Sequence, residues 1–145
     1  MKTIIVLLFF CWNSSLTKAQ ENKTLIERVC LDYIEGFYEG DTTKLIRSLS
    51  PALYKFGYWQ DKKTGKYAPE GIMTWQQAID YAKSVLEKKR FAKADAPKKV
   101  EVLDIMNSIA AAKVTAWWGV DYILLAKQND KWMIGQVIWE GPLKN

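Results

Sequence analysis

The chain has 145 residues, with seven tryptophans, seven tyrosines, no histidine and a formal net charge of +5. The lack of histidine removes Ser-His and Cys-His nucleophile systems and the usual zinc sites. The basic clusters Lys88-Lys89-Arg90 and Lys98-Lys99 are too sparse for the continuous stripe of a nucleic-acid surface, so no nucleic-acid partner is expected.

Residues 1–19 have the layout of a secretory signal peptide. Lys2 gives a short positive start, Ile4 to Trp12 is apolar, and Ser14, Ser15, Thr17 and Ala19 form a small, polar end. The apolar run is too short to span a bilayer, and Thr17 and Ala19 fit the small-x-small rule for cleavage after Ala19. Cys11 lies within the apolar run, which excludes a lipoprotein signal. The expected product is residues 20–145, a single domain with one core, secreted or periplasmic and without a membrane partner after cleavage. Loss of Lys2 and Lys18 lowers the net charge from +5 to +3. Cys30 is then alone, so no intramolecular disulfide can form, and its place on an apolar helix face predicts a buried, unreactive thiol.

Thr24 and Glu27 read as a capping box. Behind them Leu25, Ile26, Val29, Cys30, Tyr33, Ile34 and Phe37 recur at helical spacing, up to a stop at Gly40. Asp41 caps a short second helix through Leu45, Ile46 and Leu49 that Pro51 closes. Leu53 to Trp59 alternates as a strand, and Tyr67 to Ile72, with Pro69 and Gly71, is at most a short edge strand. Thr74 and Gln77 form another capping box for a helix that buries Trp75, Ala78, Ile79, Ala82, Val85 and Leu86 and runs to about Arg90. A charged linker follows, Phe91 to Lys99. The period then changes to two over Val100–Met106, Ile109–Lys127 and Lys131–Trp139, which predicts three strands in an antiparallel meander. Helices followed by a meander make an α+β arrangement, a curved antiparallel sheet wrapped around a long N-terminal helix.

The long middle strand carries the sharpest functional question. With a regular pleat Val114, Ala116, Trp118, Val120, Tyr122 and Leu124 share the core face. Asp121 then points outward, beside an apolar outer patch of Trp117, Ile123 and Leu125. A bulge at Gly119 would swap every later side chain to the opposite face. Asp121 would then lie inside an aromatic interior, placed to act as a general base, with a hydroxyl from Tyr33, Tyr58 or Tyr122 to steady a developing oxyanion. Asp121 and Tyr58 are the catalytic candidates on that reading. Tyr33, Phe37, Tyr54, Tyr58, Trp75, Trp118 and Tyr122 are the candidate lining of a pocket for a flat ligand. Asp32, Glu35 and Glu39 share a helix face, but without a matching acidic loop they read as a solvated surface rather than a metal site. With no glycine-rich phosphate loop and no metal-ligand spacing, no cofactor is expected.

Three stretches carry a family resemblance: YIEGFYEGD from Tyr33 to Asp41, YKFGYW from Tyr54 to Trp59, and WGVDYILLAKQNDKWMIGQVIW from Trp118 to Trp139. Together they resemble the putative lumazine-binding family of the nuclear transport factor 2-like (NTF2-like) superfamily, over nearly all of residues 20–145. The resemblance implies a cone-shaped fold with a pocket at its open end, and a homodimer formed through the outer face of the sheet. The superfamily includes polyketide cyclases, ketosteroid isomerase and pure binding proteins, so fold alone does not set function. Cyclases of this kind use an Asp-His pair, which a chain without histidine cannot supply. The expected activity is therefore binding of a small, partly aromatic or apolar molecule in the cone. The alternatives are a cofactor-free isomerase or cyclase-like enzyme with Asp121 as base, and a non-catalytic dimeric interaction module.

Overall fold

The structure, a computed structural model, describes residues 10–143, so residues 1–9 of the expected leader lie outside the described residues. The first helix, α1, spans Phe10–Glu39. Its buried stripe is Ile26, Cys30, Tyr33, Ile34 and Phe37, the i, i+3, i+4 spacing that turns one face of a helix to a core. The capping box expected at Thr24 is absent. The helix runs straight through that residue, whose hydroxyl donates to the Gln20 carbonyl one turn back, at 3.1 Å, a use open to any mid-helix threonine. Gly40, at φ +70°, ends α1. Asp41 Oδ1 then accepts from the Thr43 and Lys44 amides and caps α2, Thr42–Ser48.

The third helix, α3, spans Trp75–Glu87 behind the capping box of Thr74 and Gln77, with both reciprocal hydrogen bonds in place. It buries Ala78, Ile79, Ala82 and Val85. Leu86, expected inside, is exposed. A side chain at Gly40 would strike the backbone of Ala82 and Leu86, so the end of α1 and the last turns of α3 meet at a glycine-sized gap.

Six strands form one sheet: β1 Leu49–Gln60, β2 Tyr67–Met73, β3 Lys99–Ile105, β4 Ile109–Ala116, β5 Gly119–Gln128 and β6 Lys131–Gly141. Their spatial order is β2-β1-β6-β5-β4-β3. The architecture is α+β as expected, but the sheet is mixed rather than antiparallel throughout, because β1 pairs with β6 in parallel. Such a pair needs a long crossover, here the stretch through α3 and the meander. β2 is an edge strand, which accommodates Pro69.

The expected long strand Ile109–Lys127 is two strands. The chain reverses at Trp117-Trp118, with Ala116 facing Gly119 across the turn. Gly119 takes φ +150°, and a Cβ there would collide with the Glu140 carbonyl, so glycine is required on both counts. Register shifts interrupt β1–β2 at Lys55/Gly57, β3–β4 at Val102/Asp104 and β5–β6 at Leu124/Leu125. Each shift adds local bend and twist. The sheet so curved lies against α1 through β3, β4 and β6, and against α3 through β1.

Candidate functional site

The turn at Trp117-Trp118 decides which side chains enter the cone. Ala116 and Gly119 face each other across it, so these two positions share one face of the sheet, and the inward pairs continue as Val114/Asp121, Ala112/Ile123 and Ala110/Leu125. Asp121 therefore points inward and is 0% exposed. The face swap foreseen for an irregularity at Gly119 does occur, by a reversal of chain direction rather than an added residue. On β1 the inward side chains are Leu53 and Lys55, with Gly57 between Lys55 and the half-buried Trp59. A Cβ on Gly57 would overlap the Trp139 ring and carbonyl, so this glycine makes room for the Trp139 indole.

Four polar groups, from α1, β1, β5 and the Trp117-Trp118 turn, meet in this interior. Tyr33, on α1, donates its hydroxyl to Asp121 Oδ2 at 2.5 Å. Trp118 donates its indole N–H to Asp121 Oδ1 at 2.7 Å. Lys55 Nζ donates to the Tyr33 oxygen at 2.8 Å and lies 3.6 Å from Asp121 Oδ2. An ammonium can only donate, so the Tyr33 oxygen must accept from Lys55 and give its own hydrogen to Asp121. The chain of hydrogen bonds is thereby polarised from lysine through tyrosine to aspartate. Around the ammonium stand the rings of Trp139, Tyr33 and Trp118, with centroids 5.4, 5.5 and 5.9 Å from Nζ, within cation–π range.

Burial shapes the protonation of these groups. It pushes the Lys55 ammonium below its ordinary pKa, against the opposing pull of the Asp121 charge. It pushes the Tyr33 hydroxyl well above its usual range, reinforced by the same carboxylate. The Cys30 thiol is pushed up to about 12, by burial first and Asp121 second. Each shift follows the rule that a poorly solvated site disfavours the charged form.

Lys55 opens on a cavity of about 220 Å³ walled by Phe37, Trp59, Trp118 and Trp139, with Met73, Tyr81 and Trp117 completing it. It is the one charged residue in that lining. Asp121 and Tyr33 stand behind it and do not line the cavity. Trp117 and Tyr81 are substantially exposed, and together with Phe37 they also border a second cleft of about 470 Å³ between α3 and the linker. The Trp117 amide donates to the Tyr38 hydroxyl at 2.8 Å, and that hydroxyl donates to the Pro97 carbonyl at 2.5 Å. These two bonds tie the aromatic turn to α1 and to the linker.

Of the residues expected at a site, the structure brings Phe37 and Trp118 to the cavity wall, and Tyr33 and Asp121 to the polar cluster behind it. Tyr54, Tyr58 and Tyr122 lie elsewhere, on the outer face and 41–57% exposed. The period of two explains this: with Leu53, Lys55 and Gly57 inward, Tyr54 and Tyr58 must point out, and the turn sends Tyr122 outward as it sends Asp121 in. Tyr58 thus cannot assist Asp121. Trp75, the first residue of α3, is half-buried against the core and does not line the cavity, and its indole N–H is buried without a partner. Ile123 and Leu125, expected on an outer patch, belong to the core. The outer face instead presents Tyr122, Leu124 and Ile138, and a groove of about 610 Å³ bordered by Tyr54, Ile109 and Leu124.

Lys55, Trp59 and Trp139 escaped the sequence reading. The available signal was a lysine sharing a strand face with Leu53, Gly57 and Trp59. Asp32, Glu35 and Glu39 are held in ion pairs. Arg47 grips Asp32 with two bonds, of 2.5 and 2.7 Å, Arg28 bridges Asp32 and Glu35, and Lys44 bridges Glu35 and Glu39.

A sequence model of the family described as "Putative lumazine-binding" matches residues 21–140. Among curated proteins none matches the chain. Similar solved structures include an NTF2-like protein of unknown function from Silicibacter pomeroyi, 14% identical, with a TM-score of 0.62 over 83% of this chain and 96% of that one. Another, from Shewanella baltica, is 20% identical, with a TM-score of 0.60 over 83% and 93% of the two chains. A third, from Methylobacillus flagellatus, is 18% identical, with a TM-score of 0.61 over 83% and 91%. At such identities the likeness establishes the NTF2-like fold.

Proposed function

The chain belongs to the putative lumazine-binding family, and from that premise we propose that it is a binding domain holding one small, flat, largely apolar molecule in the cone. The observation that carries this reading is the 220 Å³ cavity, walled by aromatic rings and furnished with a single cationic donor, Lys55. Apolar walls with one convergent polar group are the usual form of a small-molecule site. A ring stacked among Trp59, Trp118 and Trp139, with a carbonyl or anionic oxygen turned to Lys55, would satisfy both features. The enzyme reading with Asp121 as base has less support. Both carboxylate oxygens already accept hydrogen bonds, and a base must reach the proton it removes. Asp121 serves better as the counter-charge that keeps Lys55 in place.

The family description supplies a probe, lumazine, a fused-ring compound with carbonyl acceptors. Titration of tryptophan fluorescence with lumazine and with simpler aromatic carboxylates should give saturable quenching. Lys55→Met and Trp139→Ala should each weaken binding by about tenfold or more, the worth of one buried charge-assisted hydrogen bond or one lost ring contact. No saturable quenching with any flat ring compound would overturn the reading.

Export and assembly complete it. Removal of residues 1–19 during secretion fits the order of charge, apolar run and small residues in that segment, and N-terminal sequencing of the secreted protein would test it. The exposed outer face with its groove favours a homodimer, since an apolar patch of this kind is generally covered.

A further inference from the structure

We propose that Lys55 captures a carbonyl compound covalently, with its Nζ forming an imine to an aldehyde or ketone carbon held in the aromatic cavity. The proposal rests on the binding reading and adds a bond to it. Four observations converge on this amine. It is 6% exposed, yet it borders the cavity, so a ligand can reach the nitrogen while bulk water is largely kept away. It leads a polarised hydrogen-bond chain to Tyr33 and Asp121. The rings around it leave space for an aromatic or branched apolar substituent on the carbonyl. Asp121, the natural counter-charge, does not itself line the cavity and so does not compete for the carbonyl carbon.

The chemistry balances without an outside reagent. A proton passes from the Lys55 ammonium to the Tyr33 oxygen while Tyr33 passes its own to Asp121 Oδ2, leaving a neutral amine, a phenol and a neutral carboxylic acid. The nitrogen lone pair adds to the carbonyl carbon. A C–N bond forms and the carbonyl π pair moves to oxygen, which takes a proton from the nitrogen to give a carbinolamine. The proton lent to Asp121 returns through Tyr33 to that hydroxyl, and the C–O bond breaks as the nitrogen lone pair closes the double bond. Water leaves, and the product is a protonated imine. Its positive charge replaces that of the ammonium beside the restored Asp121 carboxylate. Nothing is oxidised or reduced. Burial, by holding the ammonium below its ordinary pKa, eases the first transfer, as in other Schiff-base lysines.

The test is reductive trapping of the full chain with benzaldehyde and sodium cyanoborohydride, read by intact mass and peptide mapping. Lys55 should acquire the benzyl group about tenfold or more faster than any surface lysine. Benzyl alcohol, which fits the same space but cannot condense, should protect it. Tyr33→Phe should slow trapping at Lys55, and Lys55→Arg should abolish trapping at that position. Labelling spread evenly over surface lysines would overturn the proposal. If benzyl alcohol still alters tryptophan fluorescence in that case, the binding reading stands and only the bond is lost. If neither benzyl alcohol nor lumazine nor any aromatic carboxylate has an effect, both fail together.

Discussion

Lysine is a costly residue to bury, and Lys55 sits 6% exposed beside a fully buried Asp121. Removing one partner of such a pair leaves the other unpaired in a poorly solvated interior, which costs roughly 3–5 kcal/mol. Asp121→Ala should therefore lower stability by about that amount in urea unfolding, since it also strips acceptors from Tyr33 and Trp118. Lys55→Met should be somewhat milder, because Asp121 loses its counter-charge but keeps the Tyr33 and Trp118 donors. The double variant should recover a large part of the Asp121→Ala loss. Strict additivity of the two changes would show that the pair is uncoupled. Cys30 makes a second, pH-dependent contribution. Its pKa rises from 9.0 in the ordinary case to about 12 in the fold, so the stabilisation is complete below pH 9. Above that the unfolded chain releases the thiol proton first, and stability falls until about pH 12, by on the order of 4 kcal/mol. Tyr33, raised for the same reason, extends the loss beyond pH 10. Lys55 acts in the opposite sense: its lowered pKa lets stability climb as pH rises toward the ordinary lysine range. Urea midpoints of wild type and Cys30→Ala, taken between pH 8 and 11, should show the wild type losing ground relative to the variant. Parallel curves would rule out the thiol as a contributor.

The elements differ in how openly the sequence announces them. Asp41 and the Thr74–Gln77 box are local signals, each a side chain bonding amides within the next turn, and both form as read. Thr24 and Glu27 offer the same pattern, but α1 continues upstream to Phe10, so no free amides remain there to be capped. The turn at Trp117-Trp118 was hidden for the opposite reason. Two tryptophans carry none of the usual turn chemistry, and only Gly119 marks the place. That glycine bears the demand of the whole hairpin. Gly119→Ala would combine an unfavourable φ with a clash against the Glu140 carbonyl, and should cost about 2–3 kcal/mol. Because the turn sets the facing of every residue in β5, the variant should also disturb the tryptophan near-ultraviolet dichroism. A variant with wild-type stability and spectrum would mean that the backbone can relax freely there. Lys55 was missed at this same level. A period of two says which residues share a face but not which face is inside, and a lone lysine argues for outside. Only the pairing of β1 with β6 turns it inward.

At the scale of the whole molecule, the inner face of the sheet makes the core and cavity, while the outer face leaves Tyr122, Leu124 and Ile138 in solvent. If that face pairs two copies, Tyr122→Lys with Leu124→Lys should convert a dimer to a monomer at micromolar concentration in sedimentation velocity, without change in far-ultraviolet dichroism. A wild type that sediments as a monomer throughout would dispose of the assembly. The fold class was legible because its signals are periodic and local: two helices, two strands, a third helix and then a meander. The sheet order was not, since no local pattern tells a first strand that its neighbour is the last. That parallel pairing of β1 with β6 has a consequence for the order of synthesis. β1 leaves the ribosome early, but one of its edges stays open until β6 follows. The meander, α3 and the linker must all appear before Trp139 can settle beside Gly57. The growing chain therefore carries an unfinished sheet and an unfilled cone until β6 has been made. The Lys55 site, which borrows Trp139 from β6, exists only once that strand is in place, so the loss of β6 would remove a central strand rather than an edge.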